Sequence, residues 1–250
     1  METRLEICID GVASARAAAA GGADRVELCA NLPEGGTTPS AGMIAGVRRA
    51  FAGGLMVIIR PRGYDFLFSR DEIDVMLADI RSARTLGADG VVIGCLRQDG
   101  TIDEETVTRL VEAAGPLDIT FHRAFDMARD LPEAMETIIR LGVGRILTSG
   151  GKPDAPAGAD VIGALVRQAA GRVSLMPGGG LTPANLGEVV RRTGAHEVHL
   201  SARGAVASAM RFRNPGCAMG TFSGTDEYSW RQTDPASVRA ARAALDSAPG

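Results

Sequence analysis

Eight short β-rich runs alternate with helical patterns along the 250-residue sequence, and this alternation restricts the possible folds more than any other feature. Strands that alternate with helices form parallel sheets, because each helix returns the chain to the same edge of the sheet. Eight such units in about 250 residues are typical of a (β/α)8 barrel. The predicted strands are residues 5–9, 25–30, 55–61, 90–94, 118–123, 145–149, 173–176 and 197–202.

A weak internal repeat supports the barrel. GGADRVELCA, LGADGVVIGC, LGVGRILTSG and TGAHEVHLSA lead into even-numbered strands through a glycine and a small residue, whereas AGGLMVIIRP, AGPLDITFHR and AGRVSLMPGG lead into odd-numbered strands. An open doubly wound sheet is the competing fold, but the sequence has no GxGxxG motif. We predict a single TIM-type barrel domain over residues 1–250, with a long loop at 204–234 after strand eight and a C-terminal helix.

Capping residues predict where several helices begin. Ser69 and Glu72 form a capping-box pattern, and Asp234 followed by proline is expected to open the final helix. Asp10 and Thr182 are predicted N-caps of the first and seventh helices on the same grounds.

Composition excludes several classes of protein. The net charge of −3 and the pI of about 5.7 give no electrostatic surface for nucleic acid or anionic membrane. No apolar run approaches the roughly 18 residues of a membrane span, and the N-terminus lacks a signal-peptide core. The four cysteines show no CxxC spacing, so we expect free thiols and a cytoplasmic protein.

The predicted site lies at the carboxyl ends of the barrel strands, where active sites of this fold are found. Inward-facing polar residues there include Glu6, Thr120, Thr148 and His199. The residues predicted to bind a substrate or anion are Arg60, Arg62, Asp65, Arg123, Asp126, Gly178, Gly179, Gly180, Ser201 and Arg203.

Two thiols suggest a metal site. Cys8 and Cys29 lie near the ends of consecutive strands, and neighbouring strands are about 4.8 Å apart. Their sulfur atoms are therefore predicted to approach closely enough to share a soft ion such as Cu(I) or zinc. The alternative is that both cysteines are small hydrophobic core residues. No pattern indicates an organic cofactor.

Glu27 and His122 are the predicted acid–base pair, because strands two and five reach the centre of a barrel from opposite sides. His122 fits equally well as a hydrogen-bonded core residue. His199 is a weaker candidate for the same role, and Lys152, which follows strand six, argues against a Schiff-base aldolase.

The loops after strands seven and eight suggest an anion cradle. Gly178, Gly179 and Gly180 follow strand seven, while Ser201 and Arg203 follow strand eight, as in the phosphate sites of many barrels. The three glycines are also compatible with a simple tight turn.

Several motifs, in order along the chain, resemble the CutC family of copper-homeostasis proteins: CIDGVASA, GGADRVELCANLPEGGTTPS, IIRPRGYDF, LGADGVVIGCL, TFHRAFDM, RILTSGG, MPGGGLTPANL and EVHLSA, with MRFRN and DEYS after them. The resemblance implies a TIM-type barrel, a cytoplasmic location, oligomerisation and a link to copper, with Cys8 and Cys29 as the Cu(I) thiols. Two positions depart from the family pattern, namely Tyr64 in place of a glycine and Gly11 in place of a serine.

Three functions follow. The first is copper homeostasis by Cu(I) binding at Cys8 and Cys29. The second is an enzyme that acts on a small anionic or phosphorylated metabolite, with Glu27 and His122 as acid and base and Arg60 and Arg62 as clamps. The third is assembly, most simply as a homo-oligomer, through a long loop that acts as a contact or a lid and contains Phe212, Met219, Phe222, Tyr228 and Trp230.

Overall fold

The chain is described by a computed structural model over residues 3–217 and 226–247. Its main sheet contains eight strands in the order β7-β6-β5-β4-β3-β2-β1-β8, and every paired neighbour is parallel. The strands are β1 (Arg4–Ile9), β2 (Arg25–Leu28), β3 (Gly54–Ile58), β4 (Gly90–Ile93), β5 (Asp118–Phe121), β6 (Arg145–Thr148), β7 (Ser174–Pro177) and β8 (Glu197–Leu200).

The sheet curves into a nearly closed barrel. Strand β1 pairs with both β2 and β8, so the first and last of the eight barrel strands along the chain are neighbours. The seam between β7 and β8 is joined by a single parallel bridge between Gly178 and His199. The predicted barrel is therefore confirmed, and the open doubly wound alternative is wrong.

Helices follow the strands and form the outer layer. They are α1 (Val12–Gly21), α2 (Ala41–Ala50), α3 (Arg70–Thr85), α4 (Glu104–Ala114), α5 (Leu131–Arg140), α6 (Ala155–Ala169), α7 (Leu186–Thr193) and α8 (Pro235–Asp246). Short 3-10 helices, Leu32–Glu34 and Arg123–Met127, follow β2 and β5. Within the described ranges no helix is long and apolar enough to cross a membrane.

The predicted helix starts are partly confirmed. Ser69 and Glu72 form the capping box, and Asp234 accepts hydrogen bonds at the start of α8. Asp10 is not a cap, because its carboxylate accepts the hydroxyl of Ser14 and Gly11 occupies the N-cap position. Helix α7 begins four residues after Thr182, with Asn185 at its N-cap.

The apolar core has two parts. Side chains on the outward face of the strands, such as Ile7, Leu28 and Ile93, pack against the helices and are fully buried. A second, smaller cluster lies inside the barrel and consists of Cys8, Cys29, Met56, Ile58 and Val92. Both thiols are therefore part of an apolar wall within the barrel.

A layer of buried charges lies deeper in the barrel than the thiols. Arg25 donates to Glu6 and, at 2.5 Å, to Glu197. Arg145 donates to the same oxygen of Glu197 at 2.6 Å and to Thr120 at 3.0 Å. Because each charge in this layer faces an opposite one, its burial is compensated.

The segment after β8 differs from the prediction. In place of a continuous loop, strands β9 (Arg203–Ala207) and β10 (Ser229–Thr233) form an antiparallel pair outside the barrel. Trp230 on β10 and Phe212 after β9 are exposed. Tyr228 precedes β10 and its hydroxyl accepts from the amide of Asn214, while Met219 and Phe222 lie outside the described residues.

Candidate functional site

A cavity of about 510 Å³ opens at the carboxyl ends of the barrel strands, a volume within the usual range of ligand pockets. It is lined by polar residues at the carboxyl ends of several strands and by several apolar side chains. The predicted site residues that line it are Cys8, Glu27, Cys29, Arg60, His122, Arg123, Asp126, Gly179, Gly180, Ser201 and Arg203.

Arg62, Asp65 and Gly178 do not line this cavity. Arg62 turns away to the start of α3, where it donates to Glu72 at 2.6 Å, and Asp65 pairs with Arg62 at 2.9 Å. Gly178 lies on the seam between β7 and β8. Tyr64, which adopts φ +66°, is 83% exposed and lies at a separate surface hollow together with Asp65.

The thiols of Cys8 and Cys29 are buried, and their sulfur atoms lie 3.8 Å apart. Cys8 is in register with Glu27 across β1 and β2, so Cys29 is two residues further along the same face. Gly36 covers Cys29 from the loop that follows β2. A side chain at Gly36, whose φ is +91°, would place its Cβ 3.2 Å from the Cys29 sulfur, so this close approach requires glycine.

His199 connects the thiols to the buried charges. Its Nδ1 is 2.7 Å from Glu6 Oε1, and its Nε2 is 3.5 Å from Glu27 Oε2. Cys8, Glu27 and His199 each offer a ligand atom, and these three atoms lie within 4.8 Å of one another. This thiol, carboxylate and imidazole set is the group of described residues that is best placed to hold a metal ion.

The prediction from the sequence placed too little weight on His199 and Glu6. Both were recognised as inward-facing, but Glu6 was assigned no role and His199 was only the weaker acid–base candidate. The signal that identifies them is barrel closure, because closure makes β8 the neighbour of β1 and brings Glu6 into register with His199.

The charges around His199 determine which groups are ionised. Burial opposes ionisation of Glu6, but the charge of Arg25 and the hydrogen bond from His199 outweigh it and lower the pKa of Glu6 to about 2. Burial likewise opposes the charged form of His199. The hydrogen bonds with Cys8 and Glu6 outweigh that effect and raise the pKa of His199 well above 6.5. The imidazole is therefore protonated at neutral pH.

The two thiols are not equivalent. The hydrogen bond with Cys29 outweighs burial and lowers the pKa of Cys8, while the same bond and burial raise the pKa of Cys29. Burial and the negative charge on Cys8 raise the pKa of Glu27 to about 8. At neutral pH the site thus contains a Cys8 thiolate beside the His199 imidazolium, with Glu27 in its protonated form.

His122 lies on the β5 side of the cavity, between Phe66 and Phe121. Its Nδ1 accepts the amide N–H of Ala124 at 3.1 Å, which requires Nε2 to carry the ring proton. Burial and the positive charge of Arg60 lower the pKa of His122 to about 3, so the ring is neutral. His122 therefore presents an N–H donor, and its role as an acid–base partner of Glu27 stays a prediction.

Arg123 and Asp126 form a fixed wall of the cavity. Arg123 donates to Asp126 at 2.8 Å and to Ser149 at 2.7 Å. Asp126 also accepts from Thr148 and from the backbone of Ser149 and Gly151. Because its carboxylate is surrounded by donors, Asp126 is a positioning group for Arg123.

The fold and the site define a (β/α)8 barrel protein whose mouth combines a buried thiol pair with an imidazole and a ring of arginines. The sequence model of the CutC family matches residues 3–204. The chain belongs to the CutC family.

Alignments with related proteins cover most of the chain. The CutC family protein of Chromobacterium violaceum is 50% identical over 248 residues, which cover 99% of this chain and 100% of that protein. The human copper homeostasis protein cutC homolog is 49% identical over 235 residues, 94% of this chain and 86% of its own. A crystal structure of CutC from Streptococcus agalactiae superimposes with a TM-score of 0.77 at 32% identity, covering 80% of this chain and 98% of that one.

Proposed function

We propose that this protein binds Cu(I) between Cys8 and Cys29, with His199 as a third ligand, and that it serves copper homeostasis in this way. The observation that carries the proposal is the pair of buried sulfur atoms 3.8 Å apart at the base of an open cavity. The name of the human relative points to the same metal.

The donor set fits a soft cation. Thiolates and imidazole favour Cu(I) or zinc, whereas magnesium and calcium prefer oxygen ligands. Metal–thiolate bonds of about 2.3 Å place two sulfurs no more than about 4.6 Å apart, and the observed separation lies within that limit. The apolar wall of Met56, Ile58 and Val92 beside the thiols excludes water, which protects a bound Cu(I) ion.

Binding is expected to depend on pH. Cys8 is ionised at neutral pH, but Cys29 must lose its proton and His199 must become neutral before either can act as a ligand. The apparent affinity for Cu(I) should therefore rise with pH.

Competition between the protein and a Cu(I) chelator under anaerobic conditions tests the proposal. We expect Cys8→Ser and Cys29→Ser each to weaken binding by at least about 100-fold, because loss of a direct ligand exceeds the 10–100-fold cost typical of an outer-shell change. Cys217→Ser is the matched control, since Cys217 is an exposed free thiol. Unchanged affinity in the Cys8 and Cys29 variants, or tighter binding of zinc than of Cu(I), would overturn the proposal.

We also propose that the chain works as a single barrel domain, in the cytoplasm and as a homo-oligomer. Free cysteines at positions 8, 29, 95 and 217 are consistent with a reducing compartment. The exposed apolar side chains of Met210, Phe212 and Trp230 lie in the segment after β8 that contains β9 and β10. Exposed apolar side chains of this kind favour the segment as a contact between copies of the chain. Light scattering of the purified protein measures the oligomeric state.

A further inference from the structure

Two buried side chains at the mouth of the barrel have an N–H group with nothing to bind. Arg60 and His122 are each 4% exposed and both line the cavity. Neither Arg60 Nε nor His122 Nε2 has a hydrogen-bond partner among the residues that the structure describes. Buried donors of this kind usually have a partner, and leaving one without a partner costs about 1–3 kcal/mol.

Local packing fixes both groups. The terminal nitrogens of Arg60 donate to the carbonyls of Glu34, Gly36 and Tyr64, so Nε is the one nitrogen of this guanidinium that makes no hydrogen bond. The ring of His122 is fixed by its bond from the amide of Ala124. These side chains cannot turn to find another acceptor without breaking existing bonds.

Arg203 supplies a third donor. It begins β9, immediately beyond the end of β8, and lines the same cavity. Its Nε is buried and is likewise unpaired within residues 3–217 and 226–247. Side chains with an unpaired donor nitrogen therefore follow strands β3, β5 and β8, and all three line the same cavity.

We propose that the mouth of the barrel binds a small organic oxyanion, either a carboxylate or a phosphate ester, through Arg60, His122 and Arg203. All three free groups are donors, and two of them belong to arginines, so the complementary ligand carries acceptor oxygens and negative charge. Nothing in this proposal depends on the binding of Cu(I).

The remaining surface of the cavity favours an organic ligand over a bare inorganic ion. The volume of about 510 Å³ suits a metabolite, and Ile58, Phe66, Leu147 and Leu181 provide apolar walls. The carboxylates at the rim are already satisfied, Asp126 by Arg123 and Glu34 by Asn31 at 2.6 Å. The charge of Glu34 also acts on Arg60, whereas neither Asp126 nor Glu34 forms an ion pair with Arg203, whose charge is available to a ligand.

The arrangement also defines how the enzyme predicted from the sequence would use these groups. His122 donates its Nε2 proton in a hydrogen bond and polarises an oxygen of the ligand. Arg62, the second predicted clamp, takes no part because it is bound to Glu72.

The test is ligand-induced thermal stabilisation of chelator-treated full-length protein. The probes are ribose 5-phosphate, 3-phosphoglycerate, citrate and gluconate at 10 mM, with ribose and inorganic phosphate as references. We expect at least one organic anion to raise Tm by about 3 °C or more, which corresponds to a Kd near 1 mM, and ribose to have no effect. Stabilisation by ribose 5-phosphate indicates a phosphate ester as the ligand, whereas stabilisation by citrate or gluconate indicates a carboxylate.

Two variants connect the stabilisation to the proposed donors. In His122→Asn the amide oxygen still accepts from Ala124 but the Nε2 donor is lost, and in Arg203→Gln the guanidinium is lost. Each variant should raise the Kd of the stabilising anion by about tenfold or more in calorimetry, which is the effect of losing one hydrogen bond to a charged group. Arg109→Gln, which removes an exposed arginine on α4, is the matched control and should bind as wild type does.

The outcomes are distinct from those of the copper experiment. Cys8→Ser/Cys29→Ser should retain anion binding, and Arg203→Gln should retain Cu(I) binding. Stabilisation by none of the four organic anions, stabilisation by inorganic phosphate alone, or full binding in both His122→Asn and Arg203→Gln would each overturn the anion site.

Discussion

Replacing Glu6 with glutamine measures how much the buried charges stabilise the barrel. Glu6 is 2% exposed and binds both Arg25 and His199, so the change removes a charge and leaves two buried cations with one partner fewer. Lowering the pKa of Glu6 to about 2 from an ordinary 4.5 corresponds to about 3 kcal/mol of stability at neutral pH. Loss of one partner from a buried ion pair independently predicts about 3–5 kcal/mol.

We therefore expect Glu6→Gln to lower the free energy of unfolding by about 3 kcal/mol at pH 7, or Tm by about 6–12 °C. The stabilising charge of Glu6 is present above pH 4.5 and is lost as the pH falls towards 2, because protons then bind the unfolded chain first. The difference between variant and wild type should accordingly shrink below pH 4.5. Urea denaturation followed by circular dichroism, repeated across this pH range, measures both effects.

Glu136→Gln is the matched control. The pKa of Glu136 is also lowered to about 2, through its hydrogen bonds with Arg172 and Gln168, but this glutamate lies at the surface. Solvent screens exposed pairs, so the control should be nearly as stable as wild type. If Glu6→Gln proves no more destabilising than Glu136→Gln, the buried layer does not stabilise the fold as argued.

Two further predictions concern the site. Glu27→Gln should raise the free energy of unfolding by about 3 kcal/mol at pH 7 and hardly at all at pH 4.5 in urea denaturation. The reason is that the raised pKa of Glu27 makes the wild-type protein lose stability as the pH rises from 4.5 to about 8. A stability gain that does not grow with pH would contradict this assignment. Gly36→Ala should destabilise by about 1–3 kcal/mol in thermal or urea denaturation, since alanine at φ +91° is strained and its Cβ meets the Cys29 sulfur. Gly42→Ala, which meets no atom within 4 Å, is the control and should be neutral or slightly stabilising, so equal losses in both variants would show that the contact with Cys29 is unimportant.

The sequence predicts the barrel and the meeting of its thiols for the same reason. Consecutive strands in a barrel of this topology are neighbours, so Cys8 on β1 and Cys29 after β2 are expected near each other, and the register of Cys8 with Glu27 leaves their sulfur atoms close together. Alternation of inward and outward positions then shows which side chains enter the barrel. These are local rules, and they apply here because the spacing of the eight units is regular.

Contacts that depend on register could not be predicted in the same way. The stagger between β1 and β8 decides that Glu6, not Cys8, is in register with His199, and no pattern in the sequence encodes that offset. Arg62 was misplaced because proximity to a strand end does not determine which way a long side chain turns. The β9–β10 pair was missed because its strands are short and because Ala207 and Ser229 are far apart in sequence, so no two-residue hairpin signal is present.

The pairing of β1 with β8 has a consequence for how the site forms. Glu6 and His199 are separated by 193 positions in the chain, so the proposed metal ligands on β1, β2 and β8 meet only when β8 is paired with β1. A nascent chain that has completed seven strands has both cysteines but no imidazole beside them. The complete set of proposed ligands thus exists only when β8 is paired with β1, and a fragment that ends before β8 lacks the imidazole.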